Sequence, residues 1–313
     1  MGDREVSNRH EFAATIRSSP STDVTTAVRE ALDLGFGRLG LAHPFDSLHW
    51  ERIREFVSRD RVVSVELFLP YPGALRPGVP CPFALGSLHT EVKRDALKYG
   101  NETVRFADRN DIPFVRIQPF AVEGVSRAKW LAACRDPHRA ERLERLEAQR
   151  KVNAERHLDS FKSVLARLLD LADRYEVRVA LTPGGSLPEM PSYAETSACI
   201  EEFAGAPLVV WPDTLLASRE GEAAGVEAPE SWWDAFQERM PGVTLRDLSP
   251  DLEPAPLGTG RVDWDSMRPM LEAASTWMVD PVQMTPAAFE EDRQFLVGLS
   301  QPQGEDGAGL LGI

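Results

Sequence analysis

Cysteine is scarce in this chain. Only Cys81, Cys134 and Cys199 occur in 313 residues, an odd number, widely spaced and with no CxxC pair. That excludes a disulfide framework and a structural zinc knot, and it leaves the three thiols to behave as small buried hydrophobes. Positive charge is also short. Against 49 acidic residues stand 35 lysines and arginines, a net charge of −14 that opposes an approaching polyanion, so no nucleic-acid partner is expected. No stretch reaches the ~20 apolar residues a membrane span requires, so no membrane partner is expected. The opening MGDREVSNRH lacks the apolar core of a signal peptide, which makes a cytoplasmic location the expectation. A P-loop, a GxGxxG turn after a strand, a GxSxG elbow and a HExxH pair are all missing, which removes the usual phosphate-cradling, dinucleotide, serine-hydrolase and zinc-protease readings.

What is present is an alternation of short aliphatic runs and longer helical patterns, the order that builds parallel strands joined by crossover helices. Strands are expected at 12–17, 38–42, 62–68, 114–118, 177–181, 208–211, 243–245 and 277–283. Between the first two, Ser21 or Thr22 can cap a helix whose far end is closed by glycines. Further helices fit 47–59, 90–109, 193–204, 229–240, 264–274 and 286–299. Eight such units favour closure, so the expected fold is α/β, a (β/α)8 TIM barrel. The chain reads as one barrel domain over 1–303, with a helical insertion at about 122–175 and a flexible tail at 304–313. Within the insertion, charges and leucines at i,i+3 and i,i+4 predict one long helix or two in succession. A loop rich in proline and glycine at 71–88 is expected over one mouth of the barrel.

The segment LGTGRVDWDSMRPMLEAA carries Gly258, Gly260, Asp263 and Trp264. It resembles the stretch before the last strand of xylose-isomerase-like barrels, the sugar phosphate isomerase/epimerase superfamily. FADRNDIPFVRIQPF, LLDLADRYEVRVALTP and PLVVWPDTLL follow the order of that superfamily, and the resemblance spans roughly 12–299. It implies a barrel mouth at the C-terminal strand ends. There, a divalent ion would polarise a substrate carbonyl while carboxylates move a proton on the neighbouring carbon.

Matched residue by residue, this chain departs from that pattern. The glutamate of the fifth strand is Thr182, and the aspartate of the sixth is kept as Asp213, but the histidine three residues later is Leu216. The histidine expected in VTLRD is Thr244, followed by Asp247; the glutamate of the final strand is matched to Gln283, and a common histidine to Gln118. Of the four primary positions, Thr182, Asp213, Thr244 and Gln283, only Asp213 is charged, too little for a hard divalent cation. No metal and no other cofactor is therefore expected, and a weak ion held by Asp213 and Asp247 with help from substrate stays open.

Side-chain alternation places Arg116 on the face of Gln118, so it projects into the barrel, where Asp213 or Asp247 could partner it. His43, after the second strand, is the histidine best placed for acid–base work. Tyr71 could bond a substrate hydroxyl from the loop, and the GGS turn at 184–186 could form an anion nest or be a plain flexible turn.

The expected function is binding of a small polyhydroxy or keto compound, with isomerase-like or lyase-like chemistry. His43, Arg116, Asp213 and Asp247 are the catalytic candidates; Tyr71, Gln118, Thr182, Thr244 and Gln283 are the substrate-binding ones. A non-catalytic metabolite-binding or scaffold barrel is the alternative, and a homo-oligomer is compatible with either.

Overall fold

All eight expected strands are present in the computed structural model, which describes residues 10–17, 23–42, 45, 47–67, 85–136, 138–224 and 236–301. They are β1 (Glu11–Ile16), β2 (Arg38–Leu41), β3 (Val62–Glu66), β4 (Phe114–Ile117), β5 (Arg178–Leu181), β6 (Leu208–Val210), β7 (Gly242–Leu245) and β8 (Thr276–Val279). The pairing is parallel throughout, in the order β6-β5-β4-β3-β2-β1-β8-β7. The remaining seam, between β6 and β7, is drawn together just past β6: Asp213 bridges Thr244, whose N–H donates to the carbonyl of Pro212 at 2.9 Å. The sheet is therefore a barrel, and the strands read as near-continuous apolar runs because helices cover their outer faces.

Those helices are α1 (Val24–Asp33), α2 (Ser47–Ile53), α3 (Thr90–Arg109), α4 (Arg127–Cys134), α5 (Arg139–Arg174), α6 (Tyr193–Glu202), α7 (Thr214–Ala224), α8 (Arg268–Ala273) and α9 (Pro286–Ser300). Their starts follow capping chemistry. Asp23 accepts from the N–H of Thr26, taking the role expected of Ser21 or Thr22, which lie outside the described residues. Ser192 and Glu195 form a capping box on α6. The long charged segment is a single 36-residue helix, α5, ~54 Å end to end at the usual rise. Its C-terminal half buries Phe161, Leu165, Leu168 and Leu169, whereas most of the N-terminal half is solvated.

Several boundaries differ from expectation. The last strand stops at Val279, so Gln283 lies four residues beyond it on an exposed bend. The helix expected at 264–274 begins only at Arg268, after a turn held by Asp263, whose carboxylate accepts from the N–H groups of Asp265 and Ser266. Of the helix expected at 229–240, residues 229–235 lie outside the described set, and the rest is a short 3₁₀ turn at Gln237–Arg239. Helix α7 was not expected.

The barrel is plugged at its N-terminal end by Ala13, Val63, Phe114, Ala180, Trp211 and Met278. Phe114 and Trp211 meet edge to face at 5.6 Å, and the indole N–H donates to Thr244 Oγ1 at 3.1 Å. Cys199 is buried, and burial pushes its thiol up to about 11; Cys134 is half-buried and raised for the same reason. Cys81 lies outside the described residues. No helix among those residues is long and apolar enough to cross a membrane.

Candidate functional site

Successive inward residues lie two apart along a strand, so the faces that plug the bottom can be followed to the C-terminal ends. Ala13 leads to Thr15 and Arg17, Phe114 to Arg116 and Gln118, and Ala180 to Thr182. Trp211 leads to Asp213, Thr244 to Arg246, and Met278 to Asp280. At this end β3 contributes Glu66, paired in register with Arg116. The mouth thus gathers three guanidinium groups and three carboxylates.

They are interleaved. Arg246 Nε and Nη2 both reach Asp213 Oδ2 at 2.7 Å, and its Nη1 stands 3.9 Å from Asp280. Asp280 also receives Arg17. Arg116, 1% exposed, has Nη2 at 3.6 Å from Glu66 Oε1, the oxygen that accepts from Gln118 Nε2 at 2.8 Å. Arg116 Nη1 makes a long bond of 3.4 Å to Thr244 Oγ1. Burial pushes the Arg116 guanidinium below its ordinary range, against the attraction of Glu66, Asp280 and Asp213. At Arg246 burial acts the same way, but Asp213, Asp280 and Glu66 outweigh it and hold the group above its ordinary range. The same three carboxylates therefore act on both guanidinium groups.

Of the residues singled out in the sequence, Arg116, Gln118, Thr182, Asp213 and Thr244 come together here. Asp247 does not join them. Its carboxylate accepts from the N–H groups of Leu248, Gly260 and Val262 at 2.7, 2.9 and 3.0 Å, pinning the loop between β7 and α8. The Gly-x-Gly turn follows from that grip: Gly258 has φ +76°, and a Cβ on Gly260 would lie 2.3 Å from Asp247 Oδ1. Gln283 also stands apart, and the inward position at the end of β8 belongs to Asp280. His43 and Tyr71 lie outside the described residues. The anion nest suggested for 184–186 has an internal occupant, since Gly185 N–H donates to Glu189 Oε2 at 2.9 Å.

Arg17, Glu66, Arg246 and Asp280 escaped the sequence reading. The alternation that located Arg116 would have found Arg17, Arg246 and Asp280 once each strand end was correct, whereas Glu66 lies three residues after Val63, across the register shift where β3 pairs with β2. Motif matching instead drew attention to residues that follow a familiar pattern.

A divalent ion does not fit this donor set. Asp213 Oδ1 accepts from the N–H of Leu216 and its Oδ2 from Arg246, while Asp280 is engaged by Arg17. Among the described residues no group of three or more His, Cys, Asp or Glu side chains is arranged to hold a metal.

The strand order and the helices around it define the fold: a parallel β/α barrel with a polar mouth at the C-terminal strand ends. No protein-family model matches the chain, and no curated protein sequence matches it. Solved structures do match. A D-tagatose 3-epimerase-like protein superposes with TM-score 0.62 at 13% identity, over 92% of this chain and 96% of that one. A D-allulose 3-epimerase from Methylomonas sp., in complex with D-allulose, gives 0.62 at 12%, over 93% and 97%. The IolI protein with a bound zinc atom gives 0.61 at 10%, over 92% and 97%. At these identities the likeness is one of fold, and function has to be argued from the site.

Proposed function

We propose that this protein binds a small polyhydroxy or keto compound in the barrel mouth and acts on it, in an isomerase-like or lyase-like manner, without a divalent ion. One observation carries the reading. Arg116 is buried, yet its Nε and Nη2 make no hydrogen bond, and the buried hydroxyls of Thr15 and Thr182 have no partner either. Each unmet buried donor costs about 1–3 kcal/mol, so such a cluster calls for an oxygen-rich guest. The sugar epimerases that share the fold support the same class of ligand.

In this reading Arg116 donates to a carbonyl oxygen of the ligand, and Thr182, Thr244 and Gln118 bond its hydroxyls. Glu66, 14% exposed and beside Arg116, is the base. It takes a proton from the carbon next to the carbonyl. The electrons of that C–H bond form a C=C bond as the carbonyl π pair moves onto oxygen, giving an enolate whose charge the guanidinium stabilises; in the isomerase-like case Glu66 then returns the proton to a carbon of the enolate and the carbonyl re-forms. Asp213 keeps its place as an electrostatic member, anchored by Arg246. Asp247 and Gln283 leave the set. His43 and Tyr71 remain candidates for the rim from sequence alone, and a cytoplasmic location accompanies the reading.

A second reading, a barrel that binds without catalysis, draws on the ion pairs: Asp213 and Asp280 are already neutralised by arginines. One experiment separates the two. Ketoses, sugar phosphates and keto acids are screened by thermal shift with and without manganese, since binding to the native state raises apparent stability. Hits are then incubated in D2O and followed by NMR. A hit that ignores manganese and exchanges its α-proton, with exchange lost in Glu66→Gln, supports the enzyme. Binding without exchange supports the second reading. If no compound of these classes shifts the melting temperature, both are overturned.

A further inference from the structure

We propose that Arg246 is the resident cation of the mouth, its guanidinium taking the place of a divalent ion among Asp213, Asp280 and Glu66 and excluding such ions from it. The inference rests on the mouth being the ligand site for its functional meaning, but its geometry stands independently.

Two nitrogens of Arg246 converge on one Asp213 oxygen at 2.7 Å, and a third faces Asp280 at 3.9 Å. The residue is clamped at its backbone as well. Its N–H donates to Thr214 Oγ1 at 2.9 Å, and that hydroxyl donates to the Arg246 carbonyl at 2.6 Å. Asp213 and Thr214, adjacent at the start of α7, thus grip the side chain and the main chain of the same arginine. Such a double hold fixes where the charge sits, which a surface ion pair would not.

A metal entering this space would have to compete for Asp213 Oδ2 against two guanidinium nitrogens, and it would meet further positive charge from Arg116 and Arg17. A hard divalent cation needs several anionic oxygens free at once. Here the carboxylates are spoken for by cations covalently part of the chain, and a guanidinium does not lose its proton in the working pH range. The place among these acids is therefore held by a guanidinium that chelators cannot remove. Freeing the acids should restore metal affinity.

The test is a manganese titration followed by electron paramagnetic resonance of the free ion, on the whole chain without any organic ligand. Wild-type protein should leave manganese in solution. Arg246→Gln, which removes the guanidinium charge and leaves a shorter neutral amide, should gain affinity by roughly 100-fold or more as the carboxylates become available. Arg246→Gln combined with Asp213→Asn should lose that gain. Circular dichroism establishes that each variant is folded. Tight stoichiometric binding by wild-type protein would overturn the proposal without reference to any variant, as would a folded Arg246→Gln that binds no better than wild type. Because no sugar or keto acid enters the titration, its failure leaves the ligand reading standing, and failure of the ligand screen leaves this result intact.

Discussion

Arg116 Nη2 stands 3.6 Å from Glu66 Oε1, and that oxygen accepts its hydrogen bond from Gln118 instead, at 2.8 Å. The two charges are close enough to compensate each other while the guanidinium keeps donors free. A buried pair of this kind does little for net stability, but removing one partner leaves the other uncompensated.

Glu66→Gln should therefore destabilise the protein by about 3 kcal/mol, because Arg116 is then buried with a weaker set of counter-ions. Glu66→Gln with Arg116→Met should recover most of that loss, while binding of any ligand found in the screen disappears. Urea unfolding of the two singles and the double gives the coupling directly. Additive losses would mean that the pair is not the unit described.

The loop between β7 and α8 depends on Asp247 receiving three backbone N–H groups. Asp247→Asn keeps one acceptor oxygen and introduces an NH2 against backbone donors, so a loss of roughly 2–4 kcal/mol is expected. Gly260→Ala should be destabilising for the matching reason, as its Cβ would press on the same carboxylate. In both, the melting temperature should fall more than ligand affinity changes, since neither residue reaches the mouth. A variant with wild-type stability and lost binding would place Asp247 in the site after all.

Asp292, 5% exposed on α9, gives a pH signature. Burial raises its carboxyl from an ordinary 3.8 to about 7, opposed by a hydrogen bond from the Leu257 main chain and assisted by Glu291 and Asp280. The folded protein then holds this proton more tightly than the unfolded chain. Its contribution is complete below about pH 4, declines as pH rises toward 7, and is gone above it. Asp292→Asn should be the more stable protein at pH 8, by as much as ~4 kcal/mol, and should flatten the stability profile between pH 4 and 7. Parallel profiles for the two proteins would refute the assignment.

Cys199 should be chemically inert. Its thiol is buried and pushed up to about 11, so almost no thiolate exists at pH 8. In a Cys81→Ser, Cys134→Ser variant, labelling by iodoacetamide should proceed only at the rate of unfolding, measured by mass spectrometry across a urea series. Fast labelling without denaturant would show that this part of the barrel opens locally.

The barrel was legible in the sequence because parallel strands covered by helices are runs of aliphatic residues, and the eight runs occur in the order of the eight staves. Helices with clear polarity, such as α3 and α5, were equally legible. Strand ends were less so. The aliphatic character around β8 continues past the point where its pairing stops, so the reading ran on to Gln283 and missed Asp280. The match to a familiar pattern likewise made Asp247 a catalytic candidate, although its partners are main-chain N–H groups that composition does not reveal.

By itself the sequence determined the alternation of buried strands and amphipathic helices, because hydrophobic period is a local property. Only the tertiary structure decided which charges neutralise one another. Arg17 with Asp280, Arg116 with Glu66 and Arg246 with Asp213 join the ends of neighbouring strands around the barrel mouth from separate parts of the chain. Closure of the barrel sets those distances, and no spacing along the chain encodes them.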